Sequence, residues 1–297
     1  MHVLIPLIAA FIFALGSIFT KRAYAEGARI PHAFFLNCLL LGIVFQPFLL
    51  ASEGPIDWAR VHQPVMVGTL FFLGHLIHFL AIRAGDVSVV TPLLGSKTVF
   101  VAMVAALGFG IPLGSAQWGA ALLTTFGVLL MGRTDAQPGR RRGLAVLLAL
   151  LCALSFALCD VLIQRWAADF GIHNFLPLAF AAVAAEALLA LPAIGLSAFA
   201  WPSRARKWLF LGAAFTAVQG ILVSASVAHF RDATGVNVVY GTRGLWGIAL
   251  VWIVGRRLGN REREEAGGKA LALRLAGAVA ILAGVVLVVT AGSSVAR

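Results

Sequence analysis

The sequence predicts an all-α integral membrane protein, with ten transmembrane helices arranged as two inverted five-helix repeats. Three observations lead there. Of its 297 residues 61% are hydrophobic and only 12% charged, with a mean hydropathy of +0.95, about half the charged fraction of an ordinary soluble domain. Ten apolar runs approach the roughly 20 residues that a helix needs to cross a bilayer. Segments of the first half also return, in order, in the second.

The runs cover roughly 3–22, 31–51, 64–83, 87–108, 115–132, 143–164, 173–197, 207–229, 233–254 and 270–291. No basic segment precedes the first run and no polar domain follows it, so it reads as a spanning helix and not as a cleaved leader. Gly27 to Pro31 separates it from the second run, and Glu53-Gly54-Pro55 closes the second. The third run carries His75 and His78, and the fourth carries Lys97 and stops at Gly110-Ile111-Pro112. The fifth is spaced with glycines and leads into a basic linker, 134–142, containing Gln137-Pro138-Gly139. The sixth carries Asp160, and the seventh carries Glu186 and ends ahead of Trp201-Pro202. The eighth and ninth follow closely, and a charged loop with Arg256, Arg257, Arg261 and Arg263 leads to the tenth. Trp58, Trp118, Trp166, Trp201 and Trp208 fall near run ends, where indoles favour the headgroup level, whereas Trp246 lies deep in the ninth run.

The internal repeat sets the organisation. Phe13-Ala14-Leu15 returns as Phe156-Ala157-Leu158, with Arg22 matching Arg165, at a spacing of 143 residues. Asp86 through Lys97 returns as Asp232 through Arg243 at 146, keeping the acid, Val90/Val236, Gly95/Gly241, a hydroxyl and a cation. Gly119-Ala120-Ala121 and Gly127-Val128-Leu129 are answered by Ala276-Gly277-Ala278 and Gly284-Val285-Val286 at 157. The expected units are 1–133 and 143–297, joined by the linker 134–142. Because each has an odd number of spans, the second enters the membrane inverted, as in many secondary transporters that build two gates around a midplane site. Seventeen Lys and Arg residues fall at loops after odd-numbered runs and four in the even loops and termini, so the positive-inside tendency puts both termini outside the cytoplasm.

Several function classes drop out. The net charge of +11 sits mostly in short loops, which points to topology and anionic headgroups and not to nucleic acid. Cys38, Cys152 and Cys159 lie inside apolar runs without CxxC spacing and read as small core residues. No clustered nucleophile and base, and no full metal-ligand set, suggests an enzyme or a cofactor. The absence of a GxxxxGK[ST] motif leaves an ion or solute gradient, or a partner, as the energy source.

The candidate site centres on Gly95-Ser96-Lys97 and Gly241-Thr242-Arg243. A lone charge at mid-bilayer costs roughly 2.5–3.5 kcal/mol on insertion scales, so two at matched positions suggest a shared cavity that holds an anion. The alternatives are pairing with Glu186 or Asp160, or snorkelling to an interface. Tyr240, Arg243 and Trp246 follow each other at i, i+3, i+6, with Asn237 and Thr234 extending the polar side. Arg offers a planar fork for carboxylate or phosphate, and the aromatic rings could line the wall or simply pack. Thr91-Pro92 precedes Lys97, where the proline removes a donor and either opens a carbonyl or kinks the helix. Glu186 is expected to be a counter-ion, a protonatable coupling group or the acceptor of a purely structural hydrogen bond, and Asp160 an interfacial partner of Arg165. His75 and His78, at i, i+3, are read as cavity lining or packing more readily than as a metal pair.

Ala14-Leu15-Gly16-Ser17 with Lys21, together with the Gly119-Ala120-Ala121-Leu122-Leu123…Gly127-Val128-Leu129 run and its copy, resembles EamA-type members of the drug/metabolite transporter superfamily. Where many of those proteins carry Gly-Glu-Arg after helix 4, this chain has Gly108-Phe109-Gly110. The resemblance implies alternating-access transport of small metabolites in the cell (inner) membrane, with a cavity lined by helices 3, 4, 8 and 9. It also implies, by likeness to nucleotide-sugar and sugar-phosphate transporters, contact of Lys97 and Arg243 with an anionic substrate. The expected function is thus secondary transport of a small anionic metabolite, with export or flipping of an anionic lipid as the alternative. The expected partners are the substrate and the bilayer, with no nucleic acid, and the chain is a monomer or homodimer.

Overall fold

The computed structural model describes residues 1–52, 54–84, 90, 93–132, 142–195, 199–254 and 268–295. Every regular element among them is helical. The passes are α1 (Leu4–Ala25), α2 (Ile30–Val44), α3 (His62–Ala84), α4 (Lys97–Met103), α5 (Ser115–Gly132), α6 (Arg142–Phe170), α7 (Ile172–Leu189) and α8 (Arg206–Phe230). The ninth pass is in two pieces, α9a (Ala233–Tyr240) and α9b (Arg243–Val254), and α10 is Gly268–Val295. Six helical stretches among the described residues are long and apolar enough to cross a membrane, the second running from α2 on to Ala51, and Leu94–Gly108, Ser115–Leu130 and Leu275–Thr290 form shorter apolar helices. The chain is a multi-pass membrane protein.

Proline and glycine account for most departures from the expected spans. α2 stops at Val44 and Pro47 opens a tighter 3-10 turn, Gln46–Ala51. α7 stops at Leu189, ahead of a four-residue turn carrying Pro192. Pro177 lies inside α7, and Gln46 Nε2 donates to its carbonyl (3.2 Å) and to that of Gly42 (2.7 Å), tying α2 to α7. α6 runs six residues beyond the expected end and turns into α7 through Gly171, whose φ of 96° suits glycine alone.

The packing follows the exchange of halves that an inverted repeat requires. α1 packs on α8 as α6 packs on α3; α1 packs on α9b as α6 packs on α4; α2 meets α7, and α5 meets α10. Small residues make these crossings close. At α5–α10, a Cβ added to Gly127 would stand 2.6 Å from the Gly277 carbonyl, and one on Gly284 2.7 Å from Thr124 Oγ1. This is the close helix contact expected of those glycines. α6 is tied to α3 by side chains that donate to backbone carbonyls. Cys152 Sγ reaches Gly74 (3.2 Å), Ser155 Oγ Leu70 (2.7 Å) and Cys159 Sγ Val67 (3.7 Å), so two of the three cysteines bond as well as fill space.

The largest core cluster joins α2, α3, α6, α7 and α8 around the stacked rings of Phe45 and Phe180, 3.8 Å apart. Leu4, Ile8, Ile43, Leu122, Phe126, Leu147, Leu189 and Val279 are exposed, an outer surface that only lipid would cover comfortably.

Candidate functional site

Each cation of the candidate site follows a tightened turn of the same design. Leu94–Ser96 is a 3-10 turn running into Lys97 at the start of α4. Between α9a and α9b the bonds shorten to three residues, from Thr242 N–H to the Val239 carbonyl (3.1 Å) and from Leu245 N–H to that of Thr242 (2.9 Å). The hydroxyl of each triplet turns back on the preceding turn: Ser96 Oγ donates to the Leu93 carbonyl (2.7 Å) and Thr242 Oγ1 to that of Val239 (2.8 Å). The glycines are required by space and not by dihedral angle. Gly241 is right-handed helical (φ −56°), but a Cβ there would collide with Thr124 Cγ2, and one on Gly95 with Val128 Cγ1, both on α5. The triplet is therefore a structural unit as well as a charge. A 3-10 stretch within a helix often marks either a hinge or local strain.

The two cations differ in what they touch. Lys97 Nζ pairs with Asp160 Oδ2 of α6 at 2.7 Å, with the two side chains 14% and 3% exposed. The same oxygen accepts from Asn237 Nδ2 of α9a (2.6 Å), which also donates to the Ala233 carbonyl (2.8 Å). One carboxylate thus joins α4, α6 and α9a. This corrects the expectation of an interfacial Asp160–Arg165 pair: α6 continues to Phe170, which moves Asp160 away from the helix end and leaves Arg165 exposed. It also settles the counter-ion of Lys97 as Asp160, not Glu186. Arg243 makes no ion pair among the described residues. Its guanidinium lies over the rings of Tyr240 (4.5 Å) and Phe13 of α1 (5.6 Å), contacts that hold the cation without neutralising it. Tyr240 is held in turn by its hydroxyl, which donates to Gln219 of α8 (2.6 Å).

The remaining candidates are dispersed. Trp246 packs edge-on against Phe11 (5.2 Å), in an apolar cluster of α1 and α9b. Glu186 is brought to neither cation; it accepts from Thr69 Oγ1 of α3, and its Oε2 is buried without a hydrogen-bond partner. His75 lies between the rings of Phe71 (5.2 Å) and Phe156 (5.1 Å), with Nδ1 2.9 Å from the Phe71 carbonyl. His78 is partly buried one turn further along α3. Among the described residues, no three His, Cys, Asp or Glu side chains come together as a metal site would need. Thr91, Pro92 and Asp86 lie outside the described residues. Asp232, the second-half copy of Asp86, caps α9a by accepting from Gly235 N–H (2.8 Å), while Gln164 Oε1 accepts from Ala233 N–H (2.9 Å).

Residues 1–133 match the EamA-like transporter family, consistent with the drug/metabolite transporter superfamily. The first half of the chain is EamA-like. That match supports a multi-pass membrane transporter of the drug/metabolite type. A solved crystal structure shares the fold of the whole chain, with a TM-score of 0.67 at 16% identity, covering 100% of this chain and 99% of the other. Among curated proteins none matches the sequence.

Arg243 is partly buried on the α1 side of α9b, over the ring of Phe13. α8 flanks α1 at Gly16, which faces Gly212 and Phe215. α9b flanks it at Ala14 and Ile18, which cluster with Leu250. Ser17 lies two and a half turns after the exposed Ile8, on the opposite side of the helix, so it faces the interior. It is nonetheless exposed, as are Lys21 and Tyr24 at i+4 and i+7 on the same face. This stripe runs from beside Phe13 and Arg243 to the end of α1. A separate groove of about 820 Å³ lies at the same end, between Arg22, Trp201, Arg204, Lys207 and Trp208. Its indoles and cations are the residue types that favour the headgroup level of a bilayer.

Sequence reasoning held the pairing of a cation with Asp160 only as an alternative beside Glu186, and it missed the part played by Gln219, because contacts between distant helices leave no spacing to read. For Asp160 a signal was present. The 143-residue register that pairs Phe13 with Phe156 pairs Ser17 with Asp160 two steps after the matched Leu15 and Leu158.

Proposed function

We propose that the protein is a secondary active transporter moving a small organic anion, bearing a carboxylate or phosphate, across the inner membrane by alternating access. The observation that carries this is the inequality of the two cations: Lys97 is neutralised by Asp160, whereas Arg243 makes no ion pair among the described residues and lies over Phe13, one turn from the exposed Ser17 of α1. An anion entering there would meet an oriented guanidinium instead of competing with a resident acid. The hinged turns at Gly95 and Gly241 are where α4 and α9 would bend as the site changes access, and the Lys and Arg bias would place the open side in the cytoplasm.

Glu186 is the coupling group in this proposal. Its carboxylate has one oxygen on Thr69 and one unpartnered and buried, so a proton could be taken up there without breaking an ion pair. His75 and His78 line the route on α3.

In proteoliposomes, Arg243→Gln is expected to lower uptake of the transported anion by at least about a hundredfold, the scale of one lost charge-assisted contact in a buried site. Arg243→Lys should keep part of the activity, since it retains the charge without the fork. Uptake at the wild-type rate in Arg243→Gln would rule the anion site out. A Glu186→Gln variant with the wild-type rate and pH dependence would remove the coupling role.

A further inference from the structure

We propose that Ser17 marks a vacated counter-ion position, and that the transported molecule supplies the missing carboxylate to Arg243. The inference rests on the anion-transport reading above and narrows it to a substrate class.

The repeat carries the first step. In the 143-residue register Phe13 equals Phe156, Leu15 equals Leu158 and Arg22 equals Arg165, so Ser17 occupies in α1 the place of Asp160 in α6. The packing obeys the same exchange, since α6 lies on α4 as α1 lies on α9b. The cations match as well, each following a turn of glycine and back-bonded hydroxyl. Three of the four members of two equivalent ion pairs are therefore in place: Lys97, Asp160 and Arg243. The fourth position holds a hydroxymethyl group.

Ser17 has the surroundings that such a vacancy needs. It is exposed on the interior face of α1, one turn from Phe13, whose ring Arg243 covers. Its hydroxyl donates to the Phe13 carbonyl (2.9 Å), so it gives Arg243 no charge. Relative to aspartate, serine omits a carboxylate-sized volume and one negative charge beside a guanidinium. Together Lys97, Asp160 and Arg243 sum to one positive charge. A single carboxylate, planar and matched to the guanidinium fork, brings that sum to zero. A phosphate dianion would leave one negative charge in excess within the membrane. The chemistry thus selects a small molecule that presents one carboxylate to this point.

The test needs no knowledge of the substrate. Ser17→Asp is built in the wild-type and Arg243→Gln backgrounds, with Ser17→Asn as the uncharged control of the same size, and detergent melting temperatures are compared without ligand. Aspartate at position 17 is expected to melt at or above the wild type when Arg243 is present, because it fills the vacancy. It should melt about 5 °C or more below Arg243→Gln in that background, where the new carboxylate is alone. Ser17→Asn should behave alike in both. Ser17→Asp should also cancel any thermal shift produced by acetate, lactate or succinate in the wild type. An equal loss in the two backgrounds, or a Ser17→Asp protein that fails to fold with Arg243 present, overturns the proposal. A larger wild-type shift from inorganic phosphate than from the carboxylates overturns the substrate class. Coupling in the melts combined with unimpaired uptake by Arg243→Gln would instead leave the vacancy standing and reject the transport reading.

Discussion

Asp160→Ala is expected to destabilise the protein by about 3–5 kcal/mol, the range for a buried ion pair that loses one partner. Lys97 is 14% exposed and Asp160 3%, so the cation left behind would have little water to replace its partner. Asn237 would keep its bond to the Ala233 carbonyl but lose its link to α6. The effect should appear as a large fall in melting temperature or as poor accumulation in the membrane. Replacing both charges, as in Lys97→Met with Asp160→Leu, should recover most of the loss, since a buried pair and an apolar pair of similar volume are often near equal in energy. A double variant as unstable as the single one would mean that the carboxylate acts through other groups than Lys97. Uptake can be read on the same double variant: if Arg243 alone binds the anion, transport should survive with altered affinity.

The second large effect is steric. Gly241→Ala would drive a methyl group into Thr124 Cγ2 at the break between α9a and α9b. Overpacking a close crossing typically costs about 1–3 kcal/mol, and here it would also displace the turn that orients Arg243. Thr124→Ser removes that methyl carbon alone, after which the next neighbour is the Val238 carbonyl at 3.0 Å. The double variant should therefore regain both melting temperature and uptake. Loss of uptake in Gly241→Ala with an unchanged melting temperature, and no rescue by Thr124→Ser, would show that the glycine serves bending and not close approach.

These contacts show what could be read in advance. The ten runs were legible because bilayer thickness imposes a length on each helix, and their order of exchange because the repeat survives in small residues such as Gly127 and Gly284 that the α5–α10 crossing cannot replace. The two cations were legible because charge is rare in such runs. Which acid would pair with which cation was not. Asp160 stands 63 positions from Lys97, and the expected end of the sixth run at residue 164 made it look interfacial, whereas α6 continues through Gln164 to Phe170. Glu186 likewise meets Thr69, 117 positions away, through a crossing of α3 and α7 that no helical periodicity encodes. The difference between Ser17 and Asp160 sat in plain view, but it acquired meaning only when Lys97 proved to be paired and Arg243 did not.

The cysteines have a practical consequence. All three are buried, and Cys152 and Cys159 are occupied with α3 carbonyls, so water-soluble maleimides should leave the native protein largely unmodified. A single reporter thiol introduced at Ser17, Lys21 or Tyr24 could then be labelled against a silent background, without first stripping the natural thiols and losing the contacts they make. The rate of its modification from each side of a sealed vesicle would report directly which way the molecule faces, and how that changes when substrate is added.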